Sequence, residues 1–109
     1  MENNEIQKFL PLSESTYYIL LSLVESRHGY AIMQHVETIS SGTVTIGPGT
    51  LYGAFSNLEK AGLIRITGEE DRRKYYQLTA LGKRVLAEQI HRLSIMADNG
   101  KKALPDLEK

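Results

Sequence analysis

The stretch GPGTLYGAFSNLEKAGLIRI, which runs from Gly47 to Ile66, carries the clearest structural signals of this 109-residue chain. Pro48 suits the first position of a helix, and Gly62 suits the left-handed residue just past a helix end. The two residues together predict a helix from about Pro48 to Ala61. A run with strand propensity follows that helix at once.

One side of this helix is apolar and the other is polar. Leu51, Phe55 and Leu58 recur at i, i+4 and i+7, which predicts that they are buried. A helix fits the major groove of DNA, where an asparagine can bond adenine through two hydrogen bonds. An ordinary solvated face is the alternative. The residues predicted to contact DNA from this helix are Thr50, Tyr52, Ser56, Asn57 and Lys60, with Gly53 beside them.

Two short runs with strand propensity flank a polar, charged segment. The runs are LIRIT (63–67) and KYYQLT (74–79), and the segment between them is GEEDRR (68–73). This pattern predicts a β-hairpin with an exposed tip. Tyr75 and Tyr76 are adjacent and therefore face opposite ways in a strand, so one of the two is expected in the core.

The hairpin tip gathers three adjacent cations, and these are predicted to contact phosphates or to enter the minor groove of DNA. Three acids stand just before them, so the alternative is a solvated tip with internal salt bridges, each of which contributes little. The cations are Arg72, Arg73 and Lys74, and the acids are Glu69, Glu70 and Asp71.

Two helices are predicted before the opening stretch. SESTYYILLSLVES (13–26) starts at an N-cap, Ser13 or Ser15, and is apolar nearly all round, as is typical of a helix central to the core or shared with a partner. YAIMQHVETIS (30–40) follows a glycine turn. Tyr30 lies near its start and suits either a phosphate-contacting hydroxyl or a half-buried core residue.

The remaining segments complete the organisation of the chain. Residues 1–12 are polar and are expected to form an arm or a short helix, and 43–46 is a possible short strand. Thr79 is expected to cap a long final helix over 80–104, with 105–109 as a tail. This helix carries a heptad seam that Gly100 is expected to interrupt. The seam consists of Leu86, Ile90, Leu93 and Ala97.

The predicted fold is therefore mainly α with a small β-hairpin. Three short helices followed at once by a two-stranded wing are the layout of a winged helix-turn-helix, here extended by one long C-terminal helix for dimerisation. We assign 13–79 to DNA binding and 80–104 to dimerisation. A winged helix that only docks on another protein is the alternative function, although such a surface should expose large apolar residues.

Composition argues against several other classes of protein. The absence of cysteine excludes disulfides and thiol catalysis, and no helical histidine pair suggests a metal site. No nucleophile is spaced to pair with a base, so we expect no enzyme, no catalytic residue and no cofactor. No apolar run suits a membrane span or a signal peptide, which predicts a cytoplasmic protein. Thirteen basic and thirteen acidic residues give zero net charge, which argues against a protein that coats polyanions through bulk charge.

Three motifs in order, HGYAIMQHVE, GPGTLYGAFSNLEKAGLI and RRKYYQLTALGKRVL, resemble the PadR-like family of winged-helix transcriptional regulators. The likeness covers roughly residues 12–93. The pairing of HGY with GTLY is its specific part, because MarR-like regulators carry a similar wing. The resemblance implies a homodimeric, ligand-responsive repressor that binds a near-palindromic operator. It places DNA contacts at Tyr30, Thr50 and Tyr52, and at the cations Arg72, Arg73 and Lys74.

The single C-terminal helix resembles the short-tailed branch of this family, in which the last helix packs on the partner's first helix. The expected dimer interface therefore comprises Tyr17, Tyr18 and Leu21 together with the heptad seam. Some members of this branch bind flat drugs between tryptophans, and this chain has no tryptophan. A small-molecule effector would instead have to use Phe9, Tyr17, Tyr18, Met96 or nearby aliphatic residues.

Overall fold

The computed structural model describes residues 2–109, with side chains from Glu5 onward. Within that range the sheet is antiparallel, in the order β1-β3-β2. The predicted fold is confirmed: a mainly helical winged helix-turn-helix with a small sheet and a long C-terminal helix. The elements are α1 (Glu2–Gln7), α2 (Glu14–Ser22), β1 (Arg27–His28), α3 (Gly29–Ile39), α4 (Pro48–Lys60), β2 (Ile64–Glu70), β3 (Arg73–Leu78) and α5 (Ala80–Leu107).

Helix α4 forms where the opening stretch predicts it. Pro48 is its first residue, because a proline lacks only an N–H that would have no partner there. Gly62 lies just past its end with φ of +79°, a conformation that glycine adopts without steric cost. The apolar side of the helix is buried in the core, as its periodicity predicts. The opposite side therefore faces outward along its whole length.

Helix α2 is shorter than predicted. Ser13 is its N-cap, and the Ser13 hydroxyl accepts a hydrogen bond from Thr16 N at 3.2 Å. The helix ends at Ser22, and the carbonyls of the next two residues accept hydrogen bonds from strand β3 instead. Leu23 O accepts from Leu78 N at 3.0 Å, and Val24 O accepts from the Gln77 side chain at 3.2 Å.

The third strand is not where the sequence suggests it. The strand expected over 43–46 is wrong: Val44 and Ile46 are buried, but the Ser40 hydroxyl hydrogen-bonds both the N–H and the C=O of Val44. Those groups are thus satisfied without a neighbouring strand. Strand β1 instead pairs with β3, with Arg27 opposite Tyr76. Strand β1 has only two residues, which are too few to show a periodicity, so the sequence does not predict it.

The wing is longer than predicted, because much of the charged segment belongs to its strands. Only Asp71 and Arg72 form the turn, with φ of 53° and 66°. Positive φ at both central residues is the geometry of a type I′ turn, which matches the twist of a two-stranded hairpin. The wing therefore projects its cations from a tight, well-defined tip.

The two adjacent tyrosines of β3 separate as expected. Tyr76 is the core residue, only 8% exposed, and its ring stacks on Phe55 of α4 at a centroid distance of 4.2 Å. Tyr75 is half-buried and meets the His28 ring edge-to-face at 5.2 Å. The wing is thus packed against α4 through one aromatic pair.

Helix α5 begins as predicted and continues further. The Thr79 hydroxyl caps it by accepting from Gly82 N at 3.0 Å. The helix runs through Gly100 and Pro105 to Leu107, where a tail was expected from residue 105. Every residue from Ser94 onward is exposed, so this half of α5 projects from the rest of the fold.

The N-terminal segment packs on the base of α5. Of the two alternatives for residues 1–12, a short helix is present as α1, and Met1 lies outside the described residues. Ile6 is buried in the core, and Glu5 pairs with Arg84 at 3.3 Å. The Gln89 side chain, itself buried, accepts from Leu12 N at 2.9 Å. These contacts tie the N-terminal segment to α5.

A partly buried hydrogen-bond chain joins α2 to α3. The Ser22 hydroxyl donates to Tyr18 O at 2.8 Å and lies 2.9 Å from His35 Nδ1, which must therefore carry the proton of that bond. Burial, and then the charge of Arg27, lower the pKa of His35 below its usual value, and Glu25 opposes them. The folded protein therefore favours the neutral imidazole.

A lowered pKa in the folded state sets the sign of the pH dependence. Stability from His35 is present above 6.5, the unfolded value, and is lost as pH falls through the lower folded value. We expect the wild-type denaturation midpoint to drop more between pH 7.5 and pH 5 than that of His35→Asn, whose amide can still donate to Ser22. Equal drops in urea titrations would contradict this role.

Candidate nucleic-acid interface

The outward side of α4 carries the residues that the sequence predicts to contact DNA, with Gly53 among them. All six are exposed, and none of the described side chains hydrogen-bonds to the asparagine, serine or lysine among them. No Cβ would meet anything at Gly53, so the helix backbone is open to close approach there. The six residues are Thr50, Tyr52, Gly53, Ser56, Asn57 and Lys60.

The side chain of Tyr52 extends from the outward side of α4 towards the start of α3. It is 59% exposed, yet its hydroxyl lies against the start of α3: a Cβ built on Gly29 would stand 3.2 Å from that oxygen. The rings of Phe55 and Tyr52 pack edge-to-face, with their centroids 5.8 Å apart. Gly29 thus leaves the space into which Tyr52 fits, which links the HGY and GTLY motifs.

The start of α3 offers polar hydrogen atoms at the same place. His28 is its N-cap, and His28 Nδ1 accepts from Ala31 N at 3.3 Å. The first N–H groups of a helix have no partner within it, and they carry a partial positive charge. Tyr30 follows, 58% exposed, with its hydroxyl accepting from the Gln34 side chain at 3.2 Å.

The wing cations form no ion pair with the acids that face them across the hairpin. Glu69 lies opposite Lys74, and Glu70 opposite Arg73, across the hairpin. Among residues 5–109, however, no ion pair within 4.0 Å involves Arg72, Arg73 or Lys74. The alternative of a tip closed by internal salt bridges is therefore not what the structure contains.

The wing, α3 and α4 enclose a depression of about 230 Å³, which we call the wing cleft. It brings together five of the predicted DNA contacts: Tyr30, Tyr52, Arg72, Arg73 and Lys74. The others (Thr50, Ser56, Asn57 and Lys60) do not line it. Four residues that sequence reasoning did not assign to this site complete its lining, namely His28, Gly29, Phe55 and Tyr76.

Tyr76 contributes a hydroxyl to this site, and although most of the residue is buried, that hydroxyl is reached by solvent. Burial first, and then Glu59 and Tyr52, raise the pKa of Tyr76, so its hydroxyl remains protonated and able to donate. No described group hydrogen-bonds to it. In the sequence, the HGY motif, the GTLY motif and the wing cations each mark one wall of this cleft, but no sequence pattern shows that these three walls meet.

The residues expected at a dimer interface occupy two surfaces. On α2, the rings of Tyr17 and Tyr18 meet edge-to-face at 5.3 Å, and both are half-buried together with Leu21. On α5, Leu86 belongs to the core of the protomer, so the exposed seam begins at Ile90, which is 38% exposed. Leu93 is half-buried and Ala97 is exposed.

Two further expectations concern ligands and membranes. Phe9, Tyr17, Tyr18 and Met96, the residues named for an effector, do not line the wing cleft, and Met96 projects into solvent from α5. In the part of the chain that the structure describes, no three histidine or acidic side chains gather as a metal site would need. No helix there has the length and apolarity to cross a membrane.

Comparison with known proteins supports one family. The family model described as "Transcriptional regulator PadR-like family" matches residues 18–88. A solved transcriptional regulator from Clostridium thermocellum superposes with a TM-score of 0.64 and 26% identity, covering 97% of this chain and 99% of that one.

Two curated relatives are considerably longer than this chain. A protein of transposon Tn4556 from Streptomyces fradiae is 35% identical over 80 residues, covering 72% of this chain and 23% of that protein. The transcriptional regulator YqjI of Escherichia coli strain K12 is 29% identical over 74 residues, covering 68% and 36%. The chain therefore spans about a quarter to a third of these relatives.

Proposed function

Since the chain belongs to the PadR-like family of transcriptional regulators, we propose that it is a cytoplasmic, sequence-specific DNA-binding repressor that acts as a homodimer. In this proposal residues 13–79 bind double-stranded DNA, 80–104 form the dimer and 105–109 are a tail. A near-palindromic operator would match the two-fold symmetry of the dimer. A small-molecule effector would control the binding.

One observation carries the DNA-binding proposal: three wing cations without acidic partners stand beside a helix whose outward side is polar and open. Unpaired cations at a tight hairpin tip suit phosphates, which fix position and carry no sequence information. The exposed side of α4 suits the major groove, where base edges are read. Zero net charge is compatible with this role because only the contacting surface must be basic.

Asn57 is the residue we propose for reading bases. It is exposed on α4 and its amide makes no hydrogen bond to a described side chain or backbone group, so both of its polar atoms are available. In selection from a random duplex library, the wild type should enrich an inverted repeat. Asn57→Ala should lose preference at one base pair of each half-site, by about 1–3 kcal/mol.

The matched control for Asn57 is Asn99→Ala, which removes an exposed amide of the same kind from the projecting half of α5. It should leave the selected sequence unchanged. Identical preferences for the wild type and Asn57→Ala would remove Asn57 from the base-reading list. Failure of the wild type to select any motif would count against the proposed function itself.

The exposed half of α5 supports the dimer proposal. The heptad spacing of Ile90, Leu93 and Ala97 continues along the uninterrupted helix to Leu104 and Leu107. A projecting apolar stripe of this kind is typically covered by a partner helix. The half-buried tyrosines of α2 are the surface that we propose it packs against on a second copy.

Sedimentation of two variants tests the dimer proposal, and each variant replaces one isoleucine of α5 with lysine. Wild-type protein should sediment as a dimer at micromolar concentration, and Ile90→Lys should shift it towards monomer because a charge would be buried in the interface. Ile95→Lys is the control: Ile95 is 63% exposed and lies on the side of α5 away from the seam. A wild-type monomer would contradict the proposal.

A further inference from the structure

We propose that Tyr76 is the positioning residue of the wing: its ring, stacked on Phe55, fixes the direction in which the wing cations reach DNA relative to the outward side of α4. This role rests on the proposed function, because it concerns how a half-site of DNA is contacted. Tyr76 itself need not touch DNA to fill it.

Burial along the wing is the first argument. From Arg65 to Gln77, all of which the structure describes, Tyr76 is the only buried residue, whereas Tyr75 and Gln77 are half-buried and the others are exposed. A two-stranded hairpin on its own is marginally stable at best, so its orientation depends on what it packs against. The direction of the wing therefore depends on the packing of Tyr76.

The place of Tyr76 in the sheet is the second argument. It lies in the central strand, opposite Arg27 of β1 on one side and Ile66 of β2 on the other. Immediately beyond that pair the register shifts between Ile66 and Gly68. Such a bulge bends a strand and increases its twist. Tyr76 thus holds the sheet at the point from which the wing projects.

The partner of Tyr76 is the third argument, because it belongs to the helix proposed to read bases. The two ring centroids lie 4.2 Å apart, the ring planes are inclined by 23°, and Phe55 is itself buried. Phe55 directly precedes Ser56 and Asn57, which lie on the exposed side of α4. The stack therefore joins the strand that carries the cations to the base-reading helix.

Other contacts of the wing are nearer to solvent. The hydroxyls of Ser26 and Thr67 lie 2.7 Å apart but are exposed, and half-buried Tyr75 meets His28 only edge-to-face. Water replaces an exposed hydrogen bond at little cost. The buried stack is therefore the contact whose loss should change the direction of the wing.

The wing tip lies far enough from Tyr76 to be displaced by a small rotation there. Arg73 is three residues away, which is about 10 Å along an extended strand. A rotation of about 20° at Tyr76 would move the tip by about 3.5 Å, more than the length of a hydrogen bond. Loss of the ring should therefore break the phosphate contact although every cation is still present.

A double-mutant cycle tests this role. Tyr76→Leu, Arg73→Ala and the double variant are titrated with an operator duplex over a range of salt concentrations. We expect Tyr76→Leu to weaken binding roughly tenfold and to lower the salt slope by about two or more, because each protomer loses phosphate contacts. Adding Arg73→Ala to Tyr76→Leu should lower the slope no further. Tyr76→Phe, which keeps the stacked ring, should retain the wild-type slope.

Two further variants separate positioning from a general loss of stability. Ile6→Ala removes a buried side chain of α1, outside the wing and α4, and should destabilise the fold while keeping the wild-type slope. Phe55→Leu removes the other ring of the stack and should reproduce the slope of Tyr76→Leu. The role thus remains testable if one of the two stack variants does not fold.

A wild-type slope in Tyr76→Leu, a further fall in the double variant or an equal fall in Ile6→Ala would overturn the positioning role and leave DNA binding standing. A wild type that binds no DNA would contradict the proposed function itself, and the role of Tyr76 with it.

Discussion

Gly82→Ala is expected to destabilise the fold by more than about 3 kcal/mol, a large share of the roughly 5–15 kcal/mol that holds a domain together. A Cβ at Gly82 would overlap the carbonyl oxygen of Leu63. That oxygen also accepts from Thr79 N at 3.0 Å. Because the obstacle is backbone at the junction of α4, β2 and α5, no side chain can move aside to relieve the clash.

Chemical denaturation of Gly82→Ala should therefore show a much lower midpoint or no folded baseline. Gly53→Ala is the matched control, since Gly53 is also helical but a Cβ there meets nothing within 4 Å. It should gain about 0.5–1 kcal/mol of stability, the usual advantage of alanine over glycine inside a helix. If Gly82→Ala were as stable as the wild type, the close packing of α5 on Leu63 would be wrong.

Arg73→Ala is expected to weaken binding to every DNA sequence, by roughly ten- to a hundredfold at physiological salt. Arg73 lies at the wing tip without an acidic partner among the described residues, so its charge is available to a phosphate. A dimer would lose two such contacts, and the slope of log affinity against log salt should fall by about two.

Fluorescence anisotropy over a range of salt concentrations measures both quantities for Arg73→Ala. Lys102→Ala is the control, because it removes the same charge from the projecting part of α5, away from the wing. It should leave the salt slope unchanged. An unaltered slope in Arg73→Ala would mean that this residue contacts no phosphate, whatever its effect on affinity.

Local signals made α4 predictable. Pro48 and Gly62 bound it, and its apolar spacing alone separates the buried side from the exposed one. The family assignment is confirmed for the same reason: its motifs are short and contiguous. The DNA-contacting and dimer residues remain predictions, although the structure leaves all nine DNA candidates exposed.

Elements that depend on distant partners, or on local bonding that leaves no sequence pattern, were not predictable. Strand β1 exists because Arg27 and His28 meet β3, and Val44 forms no strand because Ser40 satisfies its backbone first. The turn at Asp71 and Arg72 lacks the glycine that usually marks a type I′ turn. The wing cleft joins residues almost fifty positions apart in sequence, so neither its volume nor the place of Tyr76 in its lining could be foreseen.

Sequence-specific DNA binding is tested by capturing sheared genomic DNA with the purified protein at physiological salt and sequencing the retained fragments. We expect enrichment of a few sites that share an inverted repeat. Uniform retention that disappears with modest added salt would indicate nonspecific charge contact only. No retention by a folded dimer would contradict the DNA-binding proposal and would favour a winged helix that docks on another protein.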